Sequence, residues 1–167
     1  MALLLYWTKL YAAEHKYIGV AKCKMCHSSD TKGNQYKHWY ESRHAKAYET
    51  LGIDAAKETA QKAGVTGNPQ EEPKCLKCHV TAYGVDNSLL GEGFKKEEGV
   101  QCESCHGAGG DYMAMSVMKD KQKAIENGLV MPTKEVCITC HNPESPNYKE
   151  FSFGEFYPKV AHPRPKN

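Results

Sequence analysis

Cys23-Lys24-Met25-Cys26-His27 is the first of four runs in which two residues separate a pair of cysteines and a histidine follows at once. The same pattern returns at 75–79, 102–106 and 137–141, and no cysteine of the sequence lies outside these runs. On a helical turn, this spacing brings two thiols to one edge of a porphyrin, where they can bond to its vinyl groups. Because the pattern is an attachment signature for c-type haem, the sequence predicts four covalently bound haems. The predicted attachment residues are Cys23, Cys26, Cys75, Cys78, Cys102, Cys105, Cys137 and Cys140.

The histidine that ends each run is predicted to bind haem iron from one side of the porphyrin. These four proximal ligands are His27, His79, His106 and His141. Paired cysteines also occur in disulfide frameworks and in zinc sites built from Cys-x-x-Cys halves. Neither arrangement requires a histidine after every second cysteine, and a thioredoxin-like redox motif normally occurs once, beside a βαβ unit. Haem attachment therefore explains more of the pattern than these alternatives do.

The composition predicts one globular domain. Of the 167 residues, 25% are charged and 40% are hydrophobic, which is typical of folded domains. The formal net charge of +2 describes the polypeptide alone, and haem propionates would add negative charge, so the basic balance does not indicate nucleic-acid binding. We predict a single tetrahaem domain over residues 19–167, preceded by an N-terminal arm or signal remnant over residues 1–18.

Covalent haem attachment also predicts an exported protein, periplasmic or extracellular, because c-type cytochromes mature on the outer side of the membrane. The stretch at residues 2–7 is apolar but short, and no basic residue precedes it, so it only half resembles a signal peptide. It is either the remnant of a leader or an arm that packs on a neighbouring subunit. No run in the sequence reaches the roughly 18 apolar residues of a membrane span.

Helix signals predict a mainly α-helical fold with extensive irregular structure, compact around a core packed with haem. Asn34 is the predicted N-cap of a helix that runs to about Leu51, and Asp54 caps a second helix over residues 55–63. A third helix is predicted over residues 112–127, with Gly128 after it. A short fourth helix after Thr133 is predicted to carry the last motif. The predicted loops cover residues 64–73, 84–99 and 142–147, and the strand-like runs are 80–83 and 151–153.

The number of histidines outside the motifs equals the number of irons that need a second axial ligand. These histidines are His15, His38, His44 and His162. Two imidazoles would keep each iron low-spin and at a low reduction potential. Methionine is the rival ligand, but Met113, Met115 and Met118 are expected to pack against a haem face or the core. No catalytic triad, paired-carboxylate site or phosphate loop stands out in the sequence, so we expect an electron-transfer protein rather than an enzyme.

Two segments outside the bare motifs carry a resemblance to a known family. One is Trp39 followed by Ser42-Arg43-His44-Ala45-Lys46-Ala47, and the other is Gly99-Val100-Gln101, which leads into the third motif and Gly107. With these segments the chain resembles the cytochrome c-554 family, which is named for a tetrahaem electron acceptor of nitrifying bacteria. Related tetrahaem proteins polymerise into extracellular cytochrome filaments.

The resemblance implies which histidine serves which haem. In the family, the histidine matching His44 serves the haem of His141, and the one matching His162 serves the haem of His106. The family's first haem takes a histidine from the segment after the third motif, but residues 111–116 of this chain contain none. The family's second haem is five-coordinate and open.

His15 and His38 have no match in the family and are predicted to fill the first and second haems, at His27 and His79. A neighbouring subunit is expected to donate one of them, because His15 follows the apolar arm. The predicted function is electron transfer, as a discrete carrier or as a subunit of a conductive extracellular filament. The alternative is an enzyme that reduces a small nitrogen oxide at an open haem. Redox proteins are the expected partners, and a homo-oligomer or filament would supply the shared ligand.

Overall fold

The computed structural model describes residues 15–164, and within that range the fold is built from short helices. No β-strand forms there beyond an isolated parallel bridge between Tyr17 and Leu90. The α-helices of the described range are α1 Val20–His27, α2 Gln35–Tyr40, α3 Ala47–Thr50, α4 Asp54–Lys62, α5 Pro73–His79, α6 Cys102–His106, α7 Met115–Met118, α8 Lys121–Glu126, α9 Lys134–Ile138 and α10 Phe153–Val160. Single 3₁₀ turns lie at Asp30–Lys32, Asn87–Leu89 and Lys96–Glu98. The mainly α fold with extensive irregular structure is thereby confirmed, whereas most of the predicted N-terminal arm lies outside the described residues.

The four cysteine motifs lie on short helices. Helices α1, α5 and α6 end at the motif histidines His27, His79 and His106, whereas α9 ends just before the turn that contains His141. Helix α5 begins with a proline, which suits the first turn because that position needs no N–H donor. Each motif therefore presents its two thiols from about one helical turn, as the spacing predicts.

The predicted helix from Asn34 to Leu51 is wrong as a single element. It begins as expected, since the Asn34 side chain accepts a hydrogen bond from Lys37 N at 3.2 Å. Helix α2 then ends at Tyr40, and α3 begins only at Ala47. In the gap, the carbonyl of His44 accepts a hydrogen bond from Val100 N at 3.0 Å. This tertiary contact holds the gap segment against the chain that leads into the third motif.

The predicted helix over residues 112–127 is also divided, into α7 and α8. Asp120 lies between them, and its side chain accepts a hydrogen bond from Lys123 N at 3.1 Å. A side chain that caps a new helix competes with continuation of the previous one. By contrast, α4 lies close to its predicted bounds, although the predicted cap is wrong, because Ile53 is the N-cap residue and Asp54 is the first residue of the helix. It ends because Gly64 adopts a φ of 74°, and Val65 N then donates to Ala60 O at 2.8 Å.

The two strand-like runs do not form strands. Residues 80–83 lie in a bend and a turn, and residues 151–153 lead into α10. Helix α10 carries Phe153, Phe156, Tyr157 and Val160 at the i, i+3, i+4, i+7 spacing of one helix face. Phe151 therefore lies just before α10 and Phe153 begins it, so their alternation does not form a strand.

A small apolar cluster stabilises the region of the second motif. Leu51, Leu76 and Val80 are buried together, with Tyr48 and Cys75 packed against them. This cluster joins the end of α3 to α5, so it fixes the second motif against the segment that follows His44. None of the helices in residues 15–164 is long and apolar enough to cross a membrane.

Candidate haem-binding site

Two pairs of histidine rings from distant parts of the chain lie close together. The ring centres of His44 and His141 are 6.1 Å apart, and those of His106 and His162 are 5.7 Å apart. With metal–nitrogen bonds of about 2 Å, two imidazoles on opposite sides of one metal ion have ring centres about 6 Å apart. Both spacings fit one iron between two imidazoles, in the pairings that the family resemblance implies. Ligation itself stays a prediction.

The two family-specific segments contact each other and hold His44. The indole N–H of Trp39 donates to Val100 O at 2.7 Å, and Val100 N donates to His44 O at 3.0 Å. Gly99 has a φ of 70°, and a Cβ there would lie 2.8 Å from His44 O. Only glycine allows this close approach. The backbone that carries His44 is thus held from both sides, and this explains why the two segments occur together.

Gln35 holds the C-terminal segment that carries His162. This glutamine is buried, and its amide nitrogen donates to Pro163 O at 2.9 Å. Its amide oxygen lies 3.3 Å from Nδ1 of His27. One side chain therefore orients the first motif histidine and places His162 near His106. Gln35 is not among the predicted site residues, although a glutamine that begins a helix beside a motif is a weak signal for this role.

Three motif histidines are oriented through Nδ1. Nδ1 of His79 lies 2.7 Å from Ala47 O, Nδ1 of His106 lies 3.0 Å from Val130 O, and His27 contacts Gln35 as above. A ring whose Nδ1–H is donated to an oxygen keeps Nε2 free to bind a metal. The fourth motif ring, His141, stacks on Phe151 with ring centres 4.9 Å apart. The donor set thus suits haem iron, for which a porphyrin supplies the other four ligands.

The electrostatic environment favours neutral imidazole in the paired sites. Burial, and then the neighbouring His141, lowers the pKa of His44. Burial alone lowers the pKa of His141. Burial is also the main cause that lowers the pKa of His106, with the hydrogen bond to Val130 acting against it. Since a metal binds the neutral ring, these shifts support metal ligation by these histidines.

His79 borders an apolar cleft of about 520 Å³ instead of a second imidazole ring. Helix α4 forms one side of the cleft and lines it with the small residues Ala55, Ala56, Thr59 and Ala60. Among the lining residues, all of which lie in the described range, His79 is the only histidine. Cys75, an attachment residue of the same motif, also lines the cleft, so the second haem would lie there, against the small side chains of α4.

The other two predicted ligands are not paired with a motif histidine in residues 15–164. Nδ1 of His15 lies 2.5 Å from Oδ2 of Asp111, and its ring packs against Gly128. His38 lies on α2 with an exposed side chain. Because Asp111 contacts Nδ1 of His15, Nε2 of His15 is the nitrogen left free to bind a metal. The prediction that His15 and His38 complete the first and second haems stays a prediction.

Contacts between thiols show the spatial order of the motifs. Hydrogen bonding to Cys102, and then burial, raises the pKa of Cys23, which places the first motif beside the third. Burial, and then interaction with Cys137 and Cys140, raises the pKa of Cys105 to about 11.

Burial, and then interaction with Cys140, raises the pKa of Cys78 to about 11. The sulfur atoms of the second motif therefore lie beside those of the fourth, which in turn lie beside the third. The motifs follow one another in space as first, third, fourth and second. This order differs from the order in the chain, and motif spacing alone cannot predict it.

Comparison with known proteins gives one family and one relative. The family model described as cytochrome c554 and c-prime matches residues 22–107. A protein described as cytochrome c-554, from Nitrosomonas europaea, is 30% identical over 145 residues. That match covers 78% of this chain and 59% of the relative, so the chain spans less than two thirds of the relative's length. No solved structure gives a significant match.

Proposed function

The chain belongs to the cytochrome c554 and c-prime family, and from this premise we propose that it transfers electrons between four covalently bound haems. The observation that carries the proposal is the spacing of the two imidazole pairs, 6.1 Å for His44 and His141 and 5.7 Å for His106 and His162. When bound, haem iron supplies a one-electron redox couple. We propose that residues 19–167 form one tetrahaem domain.

The residues of the chain hold and orient this group. The paired cysteines of each motif would form thioether bonds, and the motif histidines would bind the four irons. His44 would complete the site of His141, and His162 that of His106. Two neutral imidazoles keep iron low-spin in both oxidation states, so these residues need to move little during electron transfer. Bis-histidine ligation without methionine also implies a low reduction potential.

The order of the motifs supports a route through the protein. Electrons would pass from the first to the third, fourth and second haem, or in reverse, because neighbouring motifs bring their sulfur atoms together. The first and second motifs are the ends of this series. A partner that contacts either end would exchange electrons with the whole protein. We propose export to the periplasm or the cell exterior, with redox proteins as partners.

Haem counting and spin-state measurements test the proposal. The intact mass of the purified protein is expected to show four haems, and replacement of both Cys75 and Cys78 by serine is expected to remove one. The electron paramagnetic resonance spectrum of the oxidised protein is expected to contain at least two low-spin irons. A protein without low-spin signals would contradict the bis-histidine sites, and fewer haems would contradict the tetrahaem assignment.

The cleft beside His79 favours a second candidate, reaction of a small nitrogen oxide at an open second haem. Cys75 and His79 both line this cleft, so the second haem would lie in it, and the lining contains no second histidine while α4 adds only small side chains. Carbon monoxide is expected to bind the reduced protein at one haem. Ala56→Leu, which enlarges a side chain that lines the cleft, should slow that binding, whereas Glu58→Ala on the same helix should not. Reduced protein that binds no carbon monoxide would contradict this candidate.

The unpaired His27 supports assembly into a homo-oligomer or filament. We propose that the first haem receives its second imidazole, from His15 or His38, across a subunit contact. Dilution to a monomer is then expected to convert one iron from low-spin to high-spin, and electron microscopy of the native material is expected to show filaments. A dilute monomer in which all four haems are low-spin would contradict a shared ligand and leave a discrete carrier.

A further inference from the structure

Glu103 is a buried acidic residue inside the third motif, between Cys102 and Cys105. Its side chain is 2% exposed. No lysine, arginine or histidine in residues 15–164 forms an ion pair with it. An unpaired charge removed from water is costly unless hydrogen bonds compensate it. The position therefore requires specific donors, and the structure provides them.

Three backbone N–H groups donate to the Glu103 carboxylate. Gly109 N donates to Oε1 at 2.7 Å, Ile18 N donates to the same oxygen at 2.9 Å, and Gly19 N donates to Oε2 at 2.8 Å. Both oxygens act as acceptors. These three hydrogen bonds compensate the removal of the carboxylate from water.

These donors come from two different haem segments. Ile18 and Gly19 directly precede α1, which carries the first motif, whereas Gly109 follows the third motif. The buried side chain of Gln101 adds a parallel contact, since its oxygen accepts from Val20 N at 2.8 Å. The carboxylate of Glu103 therefore fastens the first haem segment to the third motif.

The negative charge of Glu103 also reaches groups around it. Burial, and then the Glu103 carboxylate, raises the pKa of Tyr17. Hydrogen bonding to Cys102 and burial raise the pKa of Cys23, and Glu103 adds to the effect. A charge in a buried region interacts more strongly than one in water because the effective dielectric is lower. The attachment points of the first and third haems thus lie in the field of a fixed anion.

We propose that Glu103 is a positioning residue that also sets the potentials of the first and third haems. Its hydrogen bonds fix the distance between these two haems, and its charge stabilises their oxidised irons over the reduced ones. The second and fourth haems are attached elsewhere and lack this neighbour. This inference rests on the proposal that the chain binds four haems.

The test is a redox titration of Glu103→Gln, which keeps the size of the side chain and removes its charge. Two of the four haems are expected to become easier to reduce by at least tenfold in equilibrium constant, which is about 59 mV for a one-electron couple. Glu135→Gln is the matched control, because Glu135 is exposed and lies close before the fourth motif. Glu103→Gln with wild-type potentials, or an equal shift in the control, would overturn the proposal.

Glu103→Asp separates charge from position. Aspartate keeps the charge but cannot reach all three donors, so its potentials should move much less than those of Glu103→Gln. The magnetic coupling between the first and third haems should nevertheless change. If Glu103→Gln fails to take up haem, Glu103→Asp alone carries the test, and a tenfold shift in its potentials would overturn the role of the charge. Unchanged magnetic coupling in Glu103→Asp would overturn the positioning role.

Mass spectrometry of each protein separates the two levels of the proposal. A wild-type chain that lacks four haems contradicts the proposed function and this inference with it. Four bound haems with potentials that do not respond to Glu103→Gln contradict only the role of Glu103.

Discussion

The third and fourth motifs differ from the first and second in what lies near their histidines. His106 has the ring of His162 beside it at 5.7 Å between ring centres, and His141 has the ring of His44 at 6.1 Å. His27 instead contacts the amide of Gln35, and His79 borders the cleft along α4. All four motifs share one sequence pattern, so the pattern alone does not decide how a site is completed.

This difference shows that a second imidazole lies beside a motif histidine where contacts hold the distant backbone segment that carries it. His44 is placed because its carbonyl accepts from Val100 N, and the segment of His162 is placed because Pro163 O accepts from Gln35. These contacts join parts of the chain that are far apart in sequence. The paired sites should therefore be closed to added ligands.

Removal of a paired imidazole should have the largest effect. His44→Ala is expected to leave the fourth haem with one protein ligand, so about one additional iron per chain becomes high-spin and binds carbon monoxide. Electron paramagnetic resonance of the oxidised protein and carbon monoxide titration of the reduced protein measure the two changes. Lys37→Ala, a change at an exposed residue on α2 that is not a predicted ligand, is the control. A low-spin fourth haem in His44→Ala would contradict the pairing of His44 with His141.

Disruption of the apolar cluster beside the second motif should have the next largest effect, on the stability of the fold. Leu51 is 6% exposed and packs with Leu76 and Val80. Leu51→Ala is expected to lower the free energy of unfolding by about 2–5 kcal/mol, because it leaves a cavity. Guanidinium unfolding of the haem-loaded protein followed by circular dichroism measures the change. Ile53→Ala is the control, since Ile53 is 50% exposed, and its cost should be below about 1 kcal/mol.

Substitution of Trp39 should weaken only the fourth site and so distinguish it from the third. Trp39→Phe removes the N–H that donates to Val100 O, which leaves that carbonyl without its partner. The expected loss is about 1–3 kcal/mol in the free energy of unfolding, and the fourth haem should become high-spin at a lower temperature than the third. Tyr40→Phe, in the same aromatic group but 52% exposed, should change neither. Equal loss of both paired sites would contradict this local role.

Removal of the ion pair between Lys77 and Glu144 should have the smallest effect on stability. It joins the second motif to the segment after the fourth motif, and both side chains are exposed. Hydrogen bonding to Lys77 lowers the pKa of Glu144, but water and salt screen exposed charges. Lys77→Ala should therefore leave thermal unfolding nearly unchanged at moderate salt, as scanning calorimetry can measure. A large loss of stability would show that this contact helps hold the second motif.

The haem motifs and the class of fold follow from local pattern. Cys-x-x-Cys-His needs only one helical turn, so α1, α5 and α6 could be predicted without knowledge of their surroundings. Helix α4 was likewise predictable, because its N-terminal Asp54 and the following Gly64 are local signals. These elements depend on residues that are near one another in the sequence.

The remaining errors come from contacts over long sequence distances. Nothing local to Tyr40 and Ala47 shows that the helix must break, because the break accompanies the bond from Val100 to His44. The contact between His27 and Gln35 and the cleft beside His79 depend on packing in the same way. The missed helix α10 is different, since the spacing of Phe153, Phe156, Tyr157 and Val160 was a readable signal that the short Phe-x-Phe alternation obscured.

The meeting of cysteines from different motifs has a consequence for how the protein is made. The fold brings Cys23 to Cys102 and Cys78 to Cys140, and neighbouring thiols in an oxidising compartment readily form disulfides. In the exported haem protein that we propose, a chain that folded before maturation would therefore crosslink the wrong partners and lose attachment points. We expect haem attachment to come before folding, or a reductant to protect the thiols until then. Cells that lack the maturation machinery should accumulate crosslinked chains, which thiol alkylation and mass spectrometry would identify.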